Sequence, residues 1–276
     1  MTVDRTRRRL LALGGSAAIA SLSGCTNATP FVGKRLESTD RYDAASTDQL
    51  TVDTNGDVTV RPTDGDRIRV ETVKQSSSVF ADVSEVAVNV TRDAGTLRIA
   101  TRGDSGGSWL EGSTTVDVTV DLPVGVAVDA VRTVNGDVDA RRVSGDATLE
   151  TVNGDVVVRN LEGFFSADTT NGDITARDVG GVETVTTTNG EVAVDVPAVR
   201  DAAAIETTNG DVAVAVSPNL NAELAATTDF GDVTVDGLAL DDSMQTEHLV
   251  EGTLGAGEGR LRIASTNGDV SVSKLD

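Results

Sequence analysis

The triplet Asn-Gly-Asp returns along this chain at a fixed interval. It stands at Asn135-Gly136-Asp137, Asn153-Gly154-Asp155 and Asn171-Gly172-Asp173, and with glutamate at Asn189-Gly190-Glu191, in equal steps of 18 residues. Asn209-Gly210-Asp211 follows after a step of 20, then the irregular Asp229-Phe230-Gly231-Asp232, and Asn267-Gly268-Asp269 closes the series. One early copy, Asn55-Gly56-Asp57, stands well ahead of the rest. A fixed period near twenty with a turn dipeptide in each copy predicts a solenoid in which one copy makes one coil. Solenoids are mostly surface, which points to binding, adhesion or scaffolding before catalysis.

The coil can be read position by position from the Asn. Four residues before it stand Val131, Leu149, Ala167, Val185, Ile205 and Ile263, and two before it Thr133, Thr151, Thr169, Thr187, Thr207 and Ser265. Three and five after it stand pairs such as Val156 and Val158, or Val212 and Val214. Two short strands per coil therefore send small, mostly β-branched residues into one narrow core, while alternate residues face solvent. The predicted fold is all-β, a parallel β-solenoid of about 18–20 residues per coil, preceded by a strand-rich N-terminal region. Asn tolerates a left-handed backbone and Gly adopts it freely, so the pair reads as a sharp corner. Stacked Asn side chains are placed to hydrogen-bond from coil to coil. In the Asp229-Phe230 copy, Val233 and Val235 fit only if Phe230 takes the Asn position, so that corner reads as one residue longer. Asp137, Asp155, Asp173, Glu191 and Asp211 would form a ladder of like charges that calls for screening or loosely held cations.

The first residues set a location. Arg7 and Arg8 open a basic segment that runs into the apolar stretch Leu10 to Leu22, too short and too rich in small residues for a membrane span. This reads as a signal peptide using the twin-arginine export route. Leu22-Ser23-Gly24-Cys25 resembles the lipobox of prokaryotic lipoproteins, with Cys25, the only cysteine, as the lipidated residue. An ordinary export signal with an incidental Cys is the alternative. The chain then divides into signal peptide (1–24), flexible tether (25–47), β-rich region (48–129) and repeat solenoid (130–276). The apolar-poor stretch before residue 48 shows no period and carries turn formers, hence the tether.

The chain holds 23 basic and 44 acidic residues, a net charge of -21. That balance excludes nucleic acid as a partner. It resembles the composition of proteins from extreme halophiles, where molar salt shortens the Debye length to about 3 Å and screens self-repulsion. Aromatic residues make up 3%, which is poor for stacking on sugars.

Three motifs point to chemistry and fail. Nonapeptide calcium repeats need a glycine-rich step of nine that is absent, so no metal site is assigned. Gly103-Asp104-Ser105-Gly106-Gly107 resembles a serine-nucleophile segment, but His248 is the only histidine and no helix follows the serine. One imidazole and no further cysteine leave no zinc site. No catalytic residue and no cofactor is assigned. Asn27-Ala28-Thr29 and Asn89-Val90-Thr91 fit the N-glycosylation pattern, Asn27 in the tether and Asn89 within a strand.

Together, the lipidated leader, the alternating strands ending in Val120-Asp121-Leu122-Pro123-Val124-Gly125, the Thr-x-Asn-Gly-Asp-Val repeats and the closing Gly257 to Val270 resemble the DUF4097 adhesin-like family of bacterial and archaeal surface proteins. The resemblance spans roughly residues 48–274 and carries no catalytic residues across. It implies a β-solenoid at the cell surface: a lipid-anchored, adhesin-like or envelope-structural protein on the outer face of the membrane, with a surface glycan or an envelope protein as partner. A polysaccharide-binding or polysaccharide-cleaving β-helix, and a scaffold or sensor in an envelope-stress system, are the rival readings.

Overall fold

The computed structural model describes residues 33–78, 82–102 and 114–275. Arg7, Arg8, Cys25, Asn27 and the Gly103 to Gly112 stretch lie outside these residues. The described chain is all strand and turn. Its N-terminal strands are β1 (Lys34–Asp43), β2 (Gln49–Asp53), β3 (Val58–Thr63), β4 (Arg67–Ser76), β5 (Ala87–Asp93), β6 (Thr96–Arg102) and β7 (Thr115–Pro123). The repeat supplies β8 (Ala127–Arg132), β9 (Val138–Ser144), β10 (Ala147–Glu150), β11 (Val156–Asn171), β12 (Ile174–Asn189), β13 (Val192–Val196), β14 (Ala202–Asn209) and β15 (Val212–Val216). The chain closes with β16 (Ala222–Phe230), β17 (Val233–Asp236), β18 (Asp241–Gln245), β19 (Leu249–Leu254), β20 (Gly259–Asn267) and β21 (Val270–Lys274).

Each Asn-Gly corner joins two faces of a parallel β-solenoid. On the face before the corner the order is β5, β6, β2, β8, β10, the second limbs of β11 and β12, β14, β20, β16, β19, β18. On the face after it the order is β1, β4, β7, β3, β9, the first limbs of β11 and β12, β13, β15, β21, β17. Strands stack in register, so Val138, Val156, Ile174, Val192, Val212 and Val270 form one column. With Leu149, Val185, Ile205 and Ile263 from the other face they fill a core of small, fully buried side chains. Among the described residues Phe165 is the one buried ring.

Coil order departs from chain order at both ends. The β2–β3 coil sits between β6–β7 and β8–β9, and the last coil, β20–β21, sits between β14–β15 and β16–β17. The β2–β3 and β20–β21 coils are thus each held on two sides. Antiparallel strands finish the stack: β4 and β1 beside β7, β5 beside β6, and β19 and β18 beside β16.

Three readings need correction. The segment taken as a flexible tether, 25–47, forms β1 over Lys34–Asp43. Its residues are polar on both faces because the strand overhangs the core, so it carries no alternation to read. The irregular copy is no longer than the others. Phe230 pairs with Asn267, which puts Ala226 and Thr228 in the two inner positions. The corner, thirdly, does not rest on left-handed asparagine. No corner Asn is among the residues with positive φ. Gly is required because a Cβ on Gly172 would overlap the Gly154 carbonyl oxygen, and Gly154, Gly190, Gly210 and Gly268 meet the coil before them in the same way.

Candidate binding face

The corner is built from three stacked ladders. Asn135, Asn153, Asn171, Asn189, Asn209 and Asn267 are linked in series, each Nδ2 donating to the preceding Oδ1 at 2.9–3.0 Å. Inside the corner, buried hydroxyls donate to the glycine carbonyl of the previous coil: Thr151 to Gly136 (2.9 Å), Thr169 to Gly154 (3.1 Å), Thr187 to Gly172 (3.0 Å), Thr207 to Gly190 (3.1 Å). Outside it, each carboxylate accepts the backbone amide of the next coil's acidic residue: Asp155 N to Asp137 (2.9 Å), Asp173 N to Asp155 (2.8 Å), Glu191 N to Asp173 (2.7 Å). At the N-terminal end Asp117 accepts the Asp57 amide and the Gln75 side chain, and burial pushes its carboxyl above the usual carboxylate range. These ladders use the corner's polar groups on the chain itself. They are the scaffold rather than the contact surface.

A candidate contact surface lies on the face after the corner, at the strand position six residues beyond the Asn of the coils from Asn55 to Asn189. Outward side chains there form a row that runs Arg41, Arg69, Asp121, Arg61, then Arg141, Arg159, Arg177 and Asp195 across successive strands. Six of these eight are arginines, in a chain of net charge -21. Neighbouring strands are about 4.8 Å apart, so the row carries six arginines at successive strand positions, interrupted by Asp121 and closed by Asp195.

Carboxylates beside the row orient several of its members. Asp121 takes Arg61 Nε at 2.6 Å and Arg69 Nη1 at 3.3 Å, and Glu71 takes Arg69 Nη2 at 3.1 Å, leaving Arg69 Nε without a partner. Asp139 holds Arg141 at 2.5 Å and Asp195 holds Arg177 at 2.6 Å. The hydrogen bonds to Asp121 and Asp139 strengthen the charged forms of Arg61 and Arg141. Arg159, at the centre, and Arg41, at the end, have no ion pair among the described residues.

A groove of about 470 Å³ follows the row on its far side. Leu122, Val143 and Leu161 line it, and Val124 stands beside it 95% exposed. The wall next to the row is a stack of left-handed residues, Arg142 (φ 51), Asn160 (φ 55) and Asp178 (φ 55). Asn and Asp tolerate this backbone, whereas Arg142 holds it at a cost. Glu162 and Asp178 also line the groove, so its wall carries both charges, and it is the guanidinium row that suits a long, negatively charged ligand.

The other residues singled out from sequence stand apart from this face. His248 Nδ1 lies 2.7 Å from the Gly231 carbonyl, on the surface. Asn89 is exposed on β5, opposite Ala100 of β6. Among the described residues no three His, Cys, Asp or Glu side chains converge as metal ligands would.

Residues 165–273 match the family described as Toastrack DUF4097. The DUF4097 match covers the coils from the second limb of β11 to β21, and so includes Arg177 and the later half of the corner ladders. No curated protein matches the chain. Among solved structures, a candidate adhesin from Parabacteroides distasonis is 16% identical, with a TM-score of 0.44 over 86% of this chain and 97% of that one. A candidate cell adhesion protein from Clostridium sporogenes is 11% identical, with a TM-score of 0.40 over 88% of this chain and 100% of that one. A candidate lipid-binding protein from P. distasonis is 11% identical, with a TM-score of 0.39 over 87% and 97%.

Proposed function

We propose that this chain is an exported, lipid-anchored, adhesin-like protein of the cell envelope, without enzymatic activity, that holds an anionic envelope polymer along the arginine row. The observation that carries the reading is the alignment of Arg61, Arg141, Arg159 and Arg177 on the outward side of successive strands of one face, Arg61 following the register of β3 on β9. Arginine's fork binds carboxylate or sulfate groups in a bidentate manner, at contact distances where molar salt, with a Debye length of about 3 Å, weakens the attraction without abolishing it. A charged polysaccharide supplies such groups at regular intervals, and many weak contacts add up along a line. The leader supports the location: Arg7 and Arg8 for export, Cys25 for the lipid, with Asn27 and Asn89 as sites for attached glycans. The acidic corner ladder would keep loosely held cations rather than a dedicated ion.

The reading is tested by passing the protein, in molar potassium chloride, over immobilised polygalacturonate, dextran sulfate and neutral dextran. Retention on the two anionic polymers and passage through neutral dextran is the expected result. Equal retention on all three, or none, contradicts it.

A further inference from the structure

Strand β1 is a ten-residue edge. It pairs with β4 along its whole length and with no other strand among the described residues. Almost every residue is exposed, including Leu36 at 45%. A long free edge is a template for pairing with another chain, and natural edges discourage this with charge. Here the charges have a particular order: Arg35-Leu36-Glu37-Ser38-Thr39-Asp40-Arg41-Tyr42-Asp43. Laid antiparallel against itself about Thr39, the strand puts Arg35 opposite Asp43, Leu36 opposite Tyr42, Glu37 opposite Arg41, and Thr39 opposite Thr39. Each charged residue but Asp40 meets its opposite, and Asp40 meets Ser38. Cross-strand pairs of this kind stabilise a sheet, and like charges in the same places oppose it.

We infer that β1 is the contact by which two copies of this chain join, antiparallel and two-fold symmetric about Thr39, making one sheet continuous across the pair. A one-residue slip sets the inner face of one copy against the outer face of the other, and the neighbouring registers that keep the faces are rejected by the same charges. A slip of two residues one way sets Arg35 against Arg41, and the other way sets Glu37 against Asp43. A parallel pairing stacks every charge on its own kind. The inner face agrees, since Leu36, Ser38 and Asp40 share a side with buried Ile68, Val70 and Thr72 of β4 but have nothing over them. In the single chain Glu37 is held by Arg35 at 2.8 Å, a pair that would be exchanged for Arg41 of the second copy. The Asp43 carbonyl is already taken by Thr47 Oγ1 and Arg92 Nη2, so the pairing is anchored at residues 35–41 and loosest at its ends. The contact is isologous, which closes at two copies and leaves no free strand for a third.

The test uses the full chain carrying Cys25→Ser, so that an introduced thiol is the only one. Thr39→Cys should form a disulfide-linked dimer on mild oxidation, because opposed Cα atoms in a sheet lie within disulfide range. Glu37→Cys should not, since its twin lies four residues along the partner strand. By sedimentation in molar potassium chloride the parent should show a concentration-dependent dimer. Glu37→Arg should weaken it by about tenfold or more, and Glu37→Arg with Arg41→Glu should restore it. Circular dichroism of each variant confirms that the fold is kept. A parent that stays monomeric at all concentrations overturns the inference. So does cross-linking of Glu37→Cys as fast as Thr39→Cys, or a double variant no better than the single one.

Discussion

Replacing Asp155 and Asp173 together by Asn tests how the corner ladder balances charge against hydrogen bonding. Each carboxylate accepts an amide from the next coil, Asp173 N at 2.8 Å and Glu191 N at 2.7 Å. Asn keeps that acceptor oxygen and removes the charge. Along Asp137, Asp155, Asp173 and Glu191 the substitution removes three neighbouring repulsions. At strand spacing of about 4.8 Å each is worth ~0.9 kcal/mol in water-like dielectric and ~3.5 kcal/mol at an effective dielectric of 20. Without salt the relief is therefore at least about 2.5 kcal/mol. At 1 M salt, with a Debye length of about 3 Å, roughly a fifth of it remains. Against this, two charge-assisted bonds become neutral ones, costing about 1 kcal/mol each at any salt concentration. The curves should cross. The variant should be about 1–2 kcal/mol less stable than the parent in molar potassium chloride and as stable or more stable near 0.1 M. Urea unfolding followed by circular dichroism across a potassium chloride series reads this directly. Parallel curves refute the reasoning, and a sharp stoichiometric transition with calcium would put a dedicated ion in the ladder instead.

Thr187→Val should cost about 1–3 kcal/mol, because its hydroxyl satisfies the Gly172 carbonyl inside the corner, whereas Thr187→Ser keeps the bond and should lose less; urea unfolding of the two variants ranks them. Asp117 binds its proton more tightly folded than unfolded, because burial raises its pKa, so its cost is absent below the ordinary carboxylate range and fully present above the raised value. Asp117→Asn should accordingly raise stability at neutral pH and flatten the profile above the ordinary carboxylate range. Asp146, hydrogen-bonded by the Phe164 amide and by Arg200, is shifted the other way, so its contribution holds above the ordinary range and fades as pH falls through the lowered value. Arg200→Ala should move the Asp146 titration upward, which carboxyl-carbon NMR detects. Cys25→Ser should release the protein or leave an unprocessed precursor, read by fractionation and intact mass.

The solenoid was legible because its period is written in residues that each have one physical task. Val156, Ile174 and Val192 recur where the core is, Thr169 and Thr187 where a buried carbonyl needs a donor, and Gly172 where no Cβ fits. What sequence could not supply was the order of coils at the two ends. The tucked positions of β2–β3 and β20–β21 depend on long-range pairing that leaves no local trace. Strand β1 was missed because an overhanging strand buries neither face, so its pattern is that of a loop. The arginine row was half visible. Arg141, Arg159 and Arg177 repeat at the coil step, and following the sixth position after each Asn finds them. The same rule applied to Asn55 finds Arg61, but its place beside Arg141 depends on the inserted coil, and Arg41 and Arg69 join the row only through the antiparallel strands, which no period announces.

The arginine row is tested most directly by the salt dependence of its binding. Affinity for polygalacturonate should be measured for the parent and for Arg141→Ala with Arg159→Ala and Arg177→Ala, across potassium chloride concentrations. Each arginine lost should take up to about one unit from the slope of log affinity against log salt, so the triple variant should bind weakly and almost independently of salt. A triple variant that keeps the parent's affinity and slope would contradict the assignment of this face.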